Sequence, residues 1–553
     1  LPQGNYDVPF THRIPYVSNS LGKTYVYNGD YEFSQSSRQY YNELTGELFF
    51  TVNDEVGNRK RRHINEFSTR FAHTGVVLEN HPSNLRTGLH RLFACRVPKR
   101  ADGSDETDPI VIRDFEDQLR LNMNVQLLLH GQEWAEDSRQ QAGDMQFELD
   151  REQAIKIVCQ QPHSKQKMRL NTYLNSLQDG SIVSFSLGSK YVDVKCKYPE
   201  IAKPNKNIRL IIDCRIGRSL IGSLYMSCLK HHVGDREFVY GSCRFIFITG
   251  PKTDIMMHYF HELARPSNLK LLVVFSDDAC FSDGTVYGNA DISSCDVTHS
   301  DSHYEWCRYM WQFPEFIDKH LTEQQFGTHV VVNPHDSTQK IRFRPRRRKQ
   351  QSGSTFTSLW NVELWRMIAH YWGHNEVDLV EAAYECGVVI TVEYARKFGD
   401  LQFLKFSPVR DVTGTWRAVM NPGVLFRMSG RMKNDIPVKY KGKRIPSFQQ
   451  RCDIAQSQLV NGYLQYFACP ELLHLKPIRT VQEVYTDDFK IRDIVSDSYT
   501  FTLSALVERY DATTTEVAQL SEQLSRCRTN TIVYNPLVSK ILNKDYGIET
   551  PML

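Results

Sequence analysis

Much of what this sequence does not contain narrows what it can be. No apolar run in its 553 residues approaches the length that spans a bilayer, about 20 consecutive predominantly apolar residues, so no transmembrane segment is expected. No Cys-x-x-Cys pair occurs among the 13 cysteines, and their spacing is irregular; a reduced, intracellular chain without a zinc site is the plain reading. Net charge is scant, with 67 Lys and Arg against 64 Asp and Glu for a balance of +3, which excludes a protein that coats polyanions with its whole surface. Any affinity for nucleic acid must come from local charge. There is no signal-peptide pattern and no internal repeat. The chain opens on Leu1 rather than Met, and a processed piece or a fragment of something longer is expected. What is present is apolar content, at 41 %, enough for large cores in three or four domain-sized units.

Residues 1–150 are mixed and polar, with helical spacing and a charged face over 113–135 and an acidic connector at 101–108. Residues 151–260 alternate short apolar strands with basic loops. VSFSLGSKYVDVKCKYPE reads as strand, Gly turn, strand, and Leu210–Ile212 is a buried run. From 265 to 410 the pattern mixes strands and helices, as suits an antiparallel sheet backed by helices. Asn361, Trp365, Ile368 and Trp372 form one stripe of a helix over 361–372; 376–386 reads as a helix, GVVITVEY as a strand, and LQFLKFSP as a short strand stopped by Pro408. After 411 the chain is loop-rich, then helical near 502–527, with Leu503, Leu506, Val517, Leu520 and Leu524 as core candidates.

The chemistry concentrates in three segments. LLVVFSDDACF at 271–281 is an apolar strand closed by Asp277 and Asp278. DISSCD at 291–296 carries Asp291 at a strand end and Asp296 five positions on. Twelve residues separate Asp278 from Asp291, room for a strand, a turn and a return. Nucleotidyl transfer needs a nucleophilic 3′-oxygen and a neutralised pyrophosphate, which two Mg²⁺ ions about 4 Å apart provide. Magnesium takes hard oxygen ligands and keeps some water, so one or two carboxylates per ion suffice. They must sit on rigid, neighbouring strand ends. Asp277, Asp278 and Asp291 are the expected metal ligands, with Asp296 facing the incoming ribose.

SGSTFTSLWN at 352–361 is the third segment. Ser352 and Gly353 form a flexible turn. Thr357 and Asn361, four apart, share a helix face, where they can bond a ribose 2′-hydroxyl or an aspartate that reads it. A site built to bond a hydroxyl strongly rejects the analogue that lacks it, which favours ribonucleotides.

Basic residues surround these segments. Lys195, Lys197, Lys203, Lys206, Arg209 and Arg215 lie along a strand pair, where alternating cations can line a tunnel and hold triphosphate oxygens. Arg342, Arg344, Arg346, Arg347, Arg348 and Lys349 lead into the selector, in a pattern suited to sequence-independent phosphate contact. Lys397, beyond the strand GVVITVEY, is a candidate general acid for the leaving pyrophosphate. Lys405, in LQFLKF, is placed to support a primer end.

Together these residues resemble the lettered motifs of the viral RNA-dependent RNA polymerases over roughly 190–410. DVKCKYPE with NIRLI resembles motif F, FSDD motif C, DISSCD motif A and SGSTFTSLWN motif B. YECGVVITVEYARKF resembles motif D, and LQFLKF motif E. Most such enzymes run A, B, C; here C comes first, which is similar to the permuted polymerases of permutotetraviruses and birnaviruses. The resemblance implies an α/β (α+β) right hand with a permuted palm. It implies an N-terminal extension and fingers over 1–150, fingers with motif F over 151–264, palm over 265–310, a fingers insertion over 311–350, palm again over 351–410 and thumb over 411–553. It also implies Mg²⁺ or Mn²⁺, nucleoside triphosphates, an RNA template with primer or product, other viral replication proteins, and a replication complex in the host cytoplasm or a place in the virion. By motif, Asp277, Asp278, Asp291 and Lys397 are catalytic. Asp296, Ser352, Gly353, Thr357, Asn361, Lys197, Lys206 and Arg209 bind nucleotide, and Arg215, Arg346, Arg347, Arg348 and Lys405 bind RNA.

A rival register makes Asp278 to Asp283 motif A and Gly399-Asp400 motif C, in ordinary order. It lacks a second aspartate and a preceding apolar strand, leaves no room for motif D, and leaves DISSCD unexplained. Two other functions fit parts of the pattern: a reverse transcriptase-like palm polymerase, disfavoured by the selector, and a non-catalytic RNA-binding protein, disfavoured by the intact carboxylates.

Overall fold

The computed structural model describes residues 24–53, 76–77, 81–143, 190–197, 209–213, 229–230, 232–250, 253–313, 315–350, 357–410, 414–423, 507–526 and 535–547. Its strands are β1 (Tyr31–Phe33), β2 (Tyr41–Asn42), β3 (Glu47–Leu48), β4 (Val76–Val77), β5 (Lys190–Lys197), β6 (Arg209–Asp213), β7 (Glu237–Tyr240), β8 (Cys243–Phe247), β9 (Lys270–Phe275), β10 (Asp278–Ser282), β11 (Tyr287–Ile292), β12 (His329–Val332), β13 (Lys340–Pro345), β14 (Ile390–Tyr394), β15 (Phe406–Arg410) and β16 (Trp416–Met420). Its helices are α1 (Pro82–Phe93), α2 (Pro109–Ala142), α3 (Thr253–Ala264), α4 (Cys295–Thr298), α5 (Asp301–Trp311), α6 (Glu315–Phe326), α7 (Thr357–His374), α8 (Leu379–Glu385), α9 (Thr514–Arg526) and α10 (Pro536–Tyr546). Among the described residues no helix is long and apolar enough to cross a membrane. The chain thus mixes helices and sheets, as its alternating patterns predict.

The central sheet has the order β14-β11-β10-β9-β8-β7. Every neighbouring pair is antiparallel except β8 and β9, which are parallel and joined through α3. Side chains alternate strictly between two cores. Phe245, Phe247, Leu272, Val274, Ala279, Phe281, Ala290 and Ile292 enter one, with α2, α5, α7 and α8. Ile246, Ile248, Leu271, Val273 and Cys280 enter the other, with α3, β15, β16, α9 and α10. Burial on both faces explains why LLVVF reads as an unbroken apolar run rather than an alternating one.

α7 packs on the first face and is buried on nearly its whole circumference from Leu359 to His370. It extends beyond the stripe read from sequence at both ends, because its polar residues are buried as well. Glu363 and Arg366 pair at 2.8 Å with neither exposed. The backbone of α7 touches the β7–β8 turn directly: Ser242 N–H donates to the Gly373 carbonyl at 2.8 Å, and Gly241 takes φ +55°. A Cβ on Gly373 would sit 1.7 Å from the Tyr240 carbonyl oxygen.

A second sheet runs β1-β13-β12-β5-β4, with β6 also on β5. Its core joins Leu85, Leu89, Leu92 and Phe93 of α1 to Leu210, Ile212, Val331, Ile341 and Phe343. The segment between 312 and 350 therefore contributes α6 and two strands of this sheet. β13 alternates, with Ile341, Phe343 and Pro345 inward and Arg342 and Arg344 outward.

Pro408 does not stop a strand as its position predicts. It lies inside β15, opposite Ala418, in a two-stranded sheet, where an edge needs no N–H from it. Of the C-terminal core candidates, Val517 and Leu520 are buried in the second core, while Leu503, Leu506 and the Leu524 side chain lie outside the described residues. Gly373→Ala is expected to destabilise the chain by about 3 kcal/mol, since backbone cannot yield as a side chain does; thermal unfolding of the variant beside wild type measures it.

Candidate active site

Asp278 and Asp291 are direct cross-strand partners on β10 and β11. A register pair on one sheet face brings Cβ atoms to within about 5.5 Å. Asp277 sits in the turn that joins β9 to β10, after Ser276 at φ +55°, a region uncommon for a residue with a Cβ. Asp278 opens β10 rather than closing β9, while Asp291 is the last residue but one of β11, at the strand end where the sequence puts it. One carboxylate oxygen from each of Asp277, Asp278 and Asp291 lies within 4.8 Å of the others, the one such convergent acidic group among the described residues.

Helix α7 fixes the turn. Trp365 Nε1 donates to the Asp277 carbonyl at 3.1 Å, and Ile292 N–H reaches the same oxygen at 3.1 Å. The Asn361 amide donates to Ser276 Oγ at 3.2 Å. Its Oδ1 accepts from Cys295 Sγ at 3.1 Å and from His299 Nε2 at 2.9 Å. His299 is neutral at ordinary pH because burial pushes its ring down to about 4. Asn361 here ties α7, α4 and the acidic turn together. Thr357 Oγ1 accepts from Gln350 Nε2 at 3.1 Å.

Solvent reaches Asp278, but the surrounding walls strip water from it, and this desolvation, with the Asp277 charge second, raises its carboxyl to about 6. Lys405 and Arg209 oppose the rise, and Asp291 shares a hydrogen bond with it. Crowded carboxyls that resist joint ionisation are the arrangement a hard divalent cation relieves. The donors that converge are all oxygens, as Mg²⁺ or Mn²⁺ requires; the nearby Cys295 and His299 are turned onto Asn361.

Asp296 lies in the first turn of α4, with 18 % of its side chain exposed. Its carboxyl is raised by burial, and Arg91 of α1 is the chief charge that opposes the rise, with Nε 3.6 Å from Oδ2. Arg209, first in β6, also acts on Asp296. Arg91 carries no periodic or motif signal; only the packing of α1 on the second sheet brings it here.

No protein-family model and no curated protein matches the chain. Among solved structures the chain is similar to the RNA polymerase VP1 from infectious pancreatic necrosis virus, at 10 % identity and a TM-score of 0.37 over 71 % of this chain and 62 % of that one. It is similar also to the birnavirus VP1–VP3 complex, at 11 % identity and a TM-score of 0.36 over 72 % of this chain and 64 % of that one. The chain spans less than two thirds of either. At that distance the likeness says nothing of the chemistry, which stands on the carboxylates themselves.

The remaining candidates are scattered. Lys397 is not at the site. Thr391 stands opposite Asp291, and β14 then runs away from it for about 10 Å before Lys397 is reached, where its ammonium binds Asp511 at 2.6 Å. Strand direction thus carries Lys397 away from the three carboxylates in this structure. The acids of the rival register are engaged elsewhere: Asp283 caps the β10–β11 turn by accepting from Thr285 and Val286, and Asp400 pairs with Lys544 at 2.7 Å. Lys405 Nζ donates to the Asp545 carbonyl at 2.9 Å and lies 4.4 Å from the Tyr546 ring centre. Arg348 stacks 3.8 Å over Tyr304 and bonds Thr322 and Gln325. Arg346 and Arg347 are exposed. Lys349, at the end of the run, is buried on Asp30 at 2.6 Å. Lys197 closes β5 opposite Val76, its side chain outside the described residues; Lys206, Arg215, Ser352 and Gly353 lie outside them altogether.

The raised Asp278 carboxyl has a consequence for stability. Its native value near 6 exceeds the ordinary 3.8, so between about pH 4 and 6 the native state keeps a proton the unfolded chain has lost. Stability falls as pH rises through that window, and the penalty is complete above it. Asp278→Asn is expected to raise the melting temperature at pH 7 in chelator, with the difference closing as pH falls towards 4; scanning calorimetry across that range checks it.

Proposed function

We propose that the chain is an RNA-directed RNA polymerase that copies a viral RNA genome by two-metal nucleotidyl transfer. The convergence of Asp277, Asp278 and Asp291 within 4.8 Å carries this reading. Asp278 and Asp291 are its principal metal holders and Asp277 assists, with Mg²⁺ or Mn²⁺ as the cation. Two such ions, when bound, supply activation of a primer 3′-hydroxyl and neutralisation of the departing pyrophosphate. The protein's own groups do the rest. The α7 contacts to Ser276 and Asp277 hold the carboxylates against their mutual repulsion. Arg209, whose charge reaches both Asp278 and Asp296, meets the triphosphate. Asp296 accepts from the ribose hydroxyls, and a carboxylate acceptor placed there prefers the sugar that has a 2′-hydroxyl.

In this reading the central sheet is the palm, in the permuted order. The second sheet belongs to the fingers, and the described elements after 411 belong to the thumb. Template and primer RNA and nucleoside triphosphates are the ligands. Other viral replication proteins are the company, and the host cytoplasm or the virion is the setting.

Elongation of a primed RNA template with ribonucleotides is expected with Mg²⁺ or Mn²⁺ and not in chelator. Asp278→Ala and Asp291→Ala should each lower it by about a thousandfold, because several kcal/mol of transition-state stabilisation goes with the metal. Lys397→Met should stay within twofold of wild type. Deoxynucleotide incorporation equal to ribonucleotide incorporation would move the chain to the reverse transcriptase-like class. Template binding without incorporation by wild type would leave a non-catalytic RNA-binding protein.

A further inference from the structure

The aspartate expected to read the ribose has a partner that comes from neither the palm-like sheet nor the selector segment. Asp296 sits on α4, a single turn of helix that follows Ser294 in the left-handed region. Such a short element does little to fix a side chain. Asn361, the nearby amide on α7, is occupied by Ser276, Cys295 and His299. The cation against Asp296 is Arg91, in the last turn of α1, with Nε 3.6 Å from Oδ2.

Arg91 is well placed to be a fixed anchor. The apolar side of α1 is locked into the core of the second sheet through Leu85, Leu89, Leu92 and Phe93. Its neighbour His90 lies 3.1 Å from the Gly46 carbonyl, as a second tie. A cation in the last turn of a helix is also favoured by the helix dipole. The same core holds Leu210 of β6, next to Arg209, whose charge also acts on Asp296. The pair is neither sealed nor free: 23 % of Arg91 and 18 % of Asp296 are exposed, which leaves acceptor capacity on the carboxylate for an incoming hydroxyl. The contact is an ion pair through Nε alone, at 3.6 Å, and the planar guanidinium can tighten it into a directed bond where an ammonium gives only a point charge.

Resting on the polymerase reading, we infer that Arg91 is a positioning residue for sugar selection: it holds Asp296 in the orientation that accepts a hydrogen bond from the ribose 2′-hydroxyl of the incoming nucleotide. A triphosphate draws on Arg209, so Arg91 is the partner that keeps Asp296 in place when substrate arrives. The N-terminal unit thereby sets which sugar the distant carboxylate admits.

The test compares single-nucleotide incorporation of ATP and dATP on a primed RNA template by wild type, Arg91→Ala, Arg91→Lys and Asp296→Ala. Arg91→Ala is expected to lower the ratio of ATP to dATP kcat/KM at least about tenfold, a fraction of what a hydroxyl-bonding site can impose. The loss should fall on the KM for ATP and leave dATP incorporation near its wild-type level, which a general structural defect would not do. Arg91→Lys should restore part of the ratio, and Asp296→Ala should lose it. An Arg91→Ala ratio equal to wild type, with Asp296→Ala still non-selective, overturns the assignment and leaves the polymerase reading intact. Wild type that incorporates neither nucleotide removes both. If Arg91→Ala fails to fold, Arg91→Gln, which keeps the stem, carries the same comparison, and an unchanged ratio there overturns the assignment equally.

Discussion

Three carboxylates brought within 4.8 Å of one another repel, and the structure around them is arranged to hold that repulsion in check. The β10–β11 register sets Asp278 against Asp291. The Asp277 carbonyl is gripped from two sides, by Ile292 N–H and by the Trp365 indole. Asn361 then links the turn, through Ser276, to α4. These are hydrogen bonds to backbone or to short side chains on elements buried on every side, so they do not adjust easily. α7 can act as the clamp because it is itself pinned at its far end by backbone contact with the β7–β8 turn at Gly373.

The outer supports are of the same kind. Arg509 is buried on Asp545 at 3.1 Å and donates to the carbonyls of Gly399, Asp400 and Leu401. It thereby ties the segment below β14 to the C-terminal helix. Leu404 and Lys405 both take positive φ between Phe403 and Phe406, whose backbones bond reciprocally. Such a turn ordinarily calls for Asn-Gly, and each residue with a Cβ there costs about 1–2 kcal/mol. Burial of both phenylalanines and the Lys405 contact with the end of α10 offset it.

The carboxylates were legible in the sequence because their signal is local: apolar runs, short spacing and acids at the ends. The strand position of Asp278 was not, since a tight turn between two strands has the same composition whether the acid closes one or opens the next. Asn361 was read as a ligand group because spacing shows which helix face a residue occupies but not which neighbour meets it there. The place of Lys397 was not legible either: a motif gives order along the chain, while the path of β14 decides which end of the sheet is reached. The arginine run looked uniform, yet Arg342 and Arg344 point outward, Arg348 stacks on Tyr304 and Lys349 is buried on Asp30. Strand alternation accounts for the first two; the others follow from partners far away in sequence. Arg91 had no signal at all, for the same reason.

That Asp278 and Asp291 share one hairpin bears on how the molecule assembles. Bringing two groups together costs chain entropy that grows with the intervening length, and here that length is a single tight loop. The charged pair can meet as soon as its own two strands zip, before any remote segment docks. What arrives late is the clamp, since α7 lies beyond α5, α6 and two strands of another sheet. The acids are therefore gathered early, and they acquire their rigidity only when the last parts close around them.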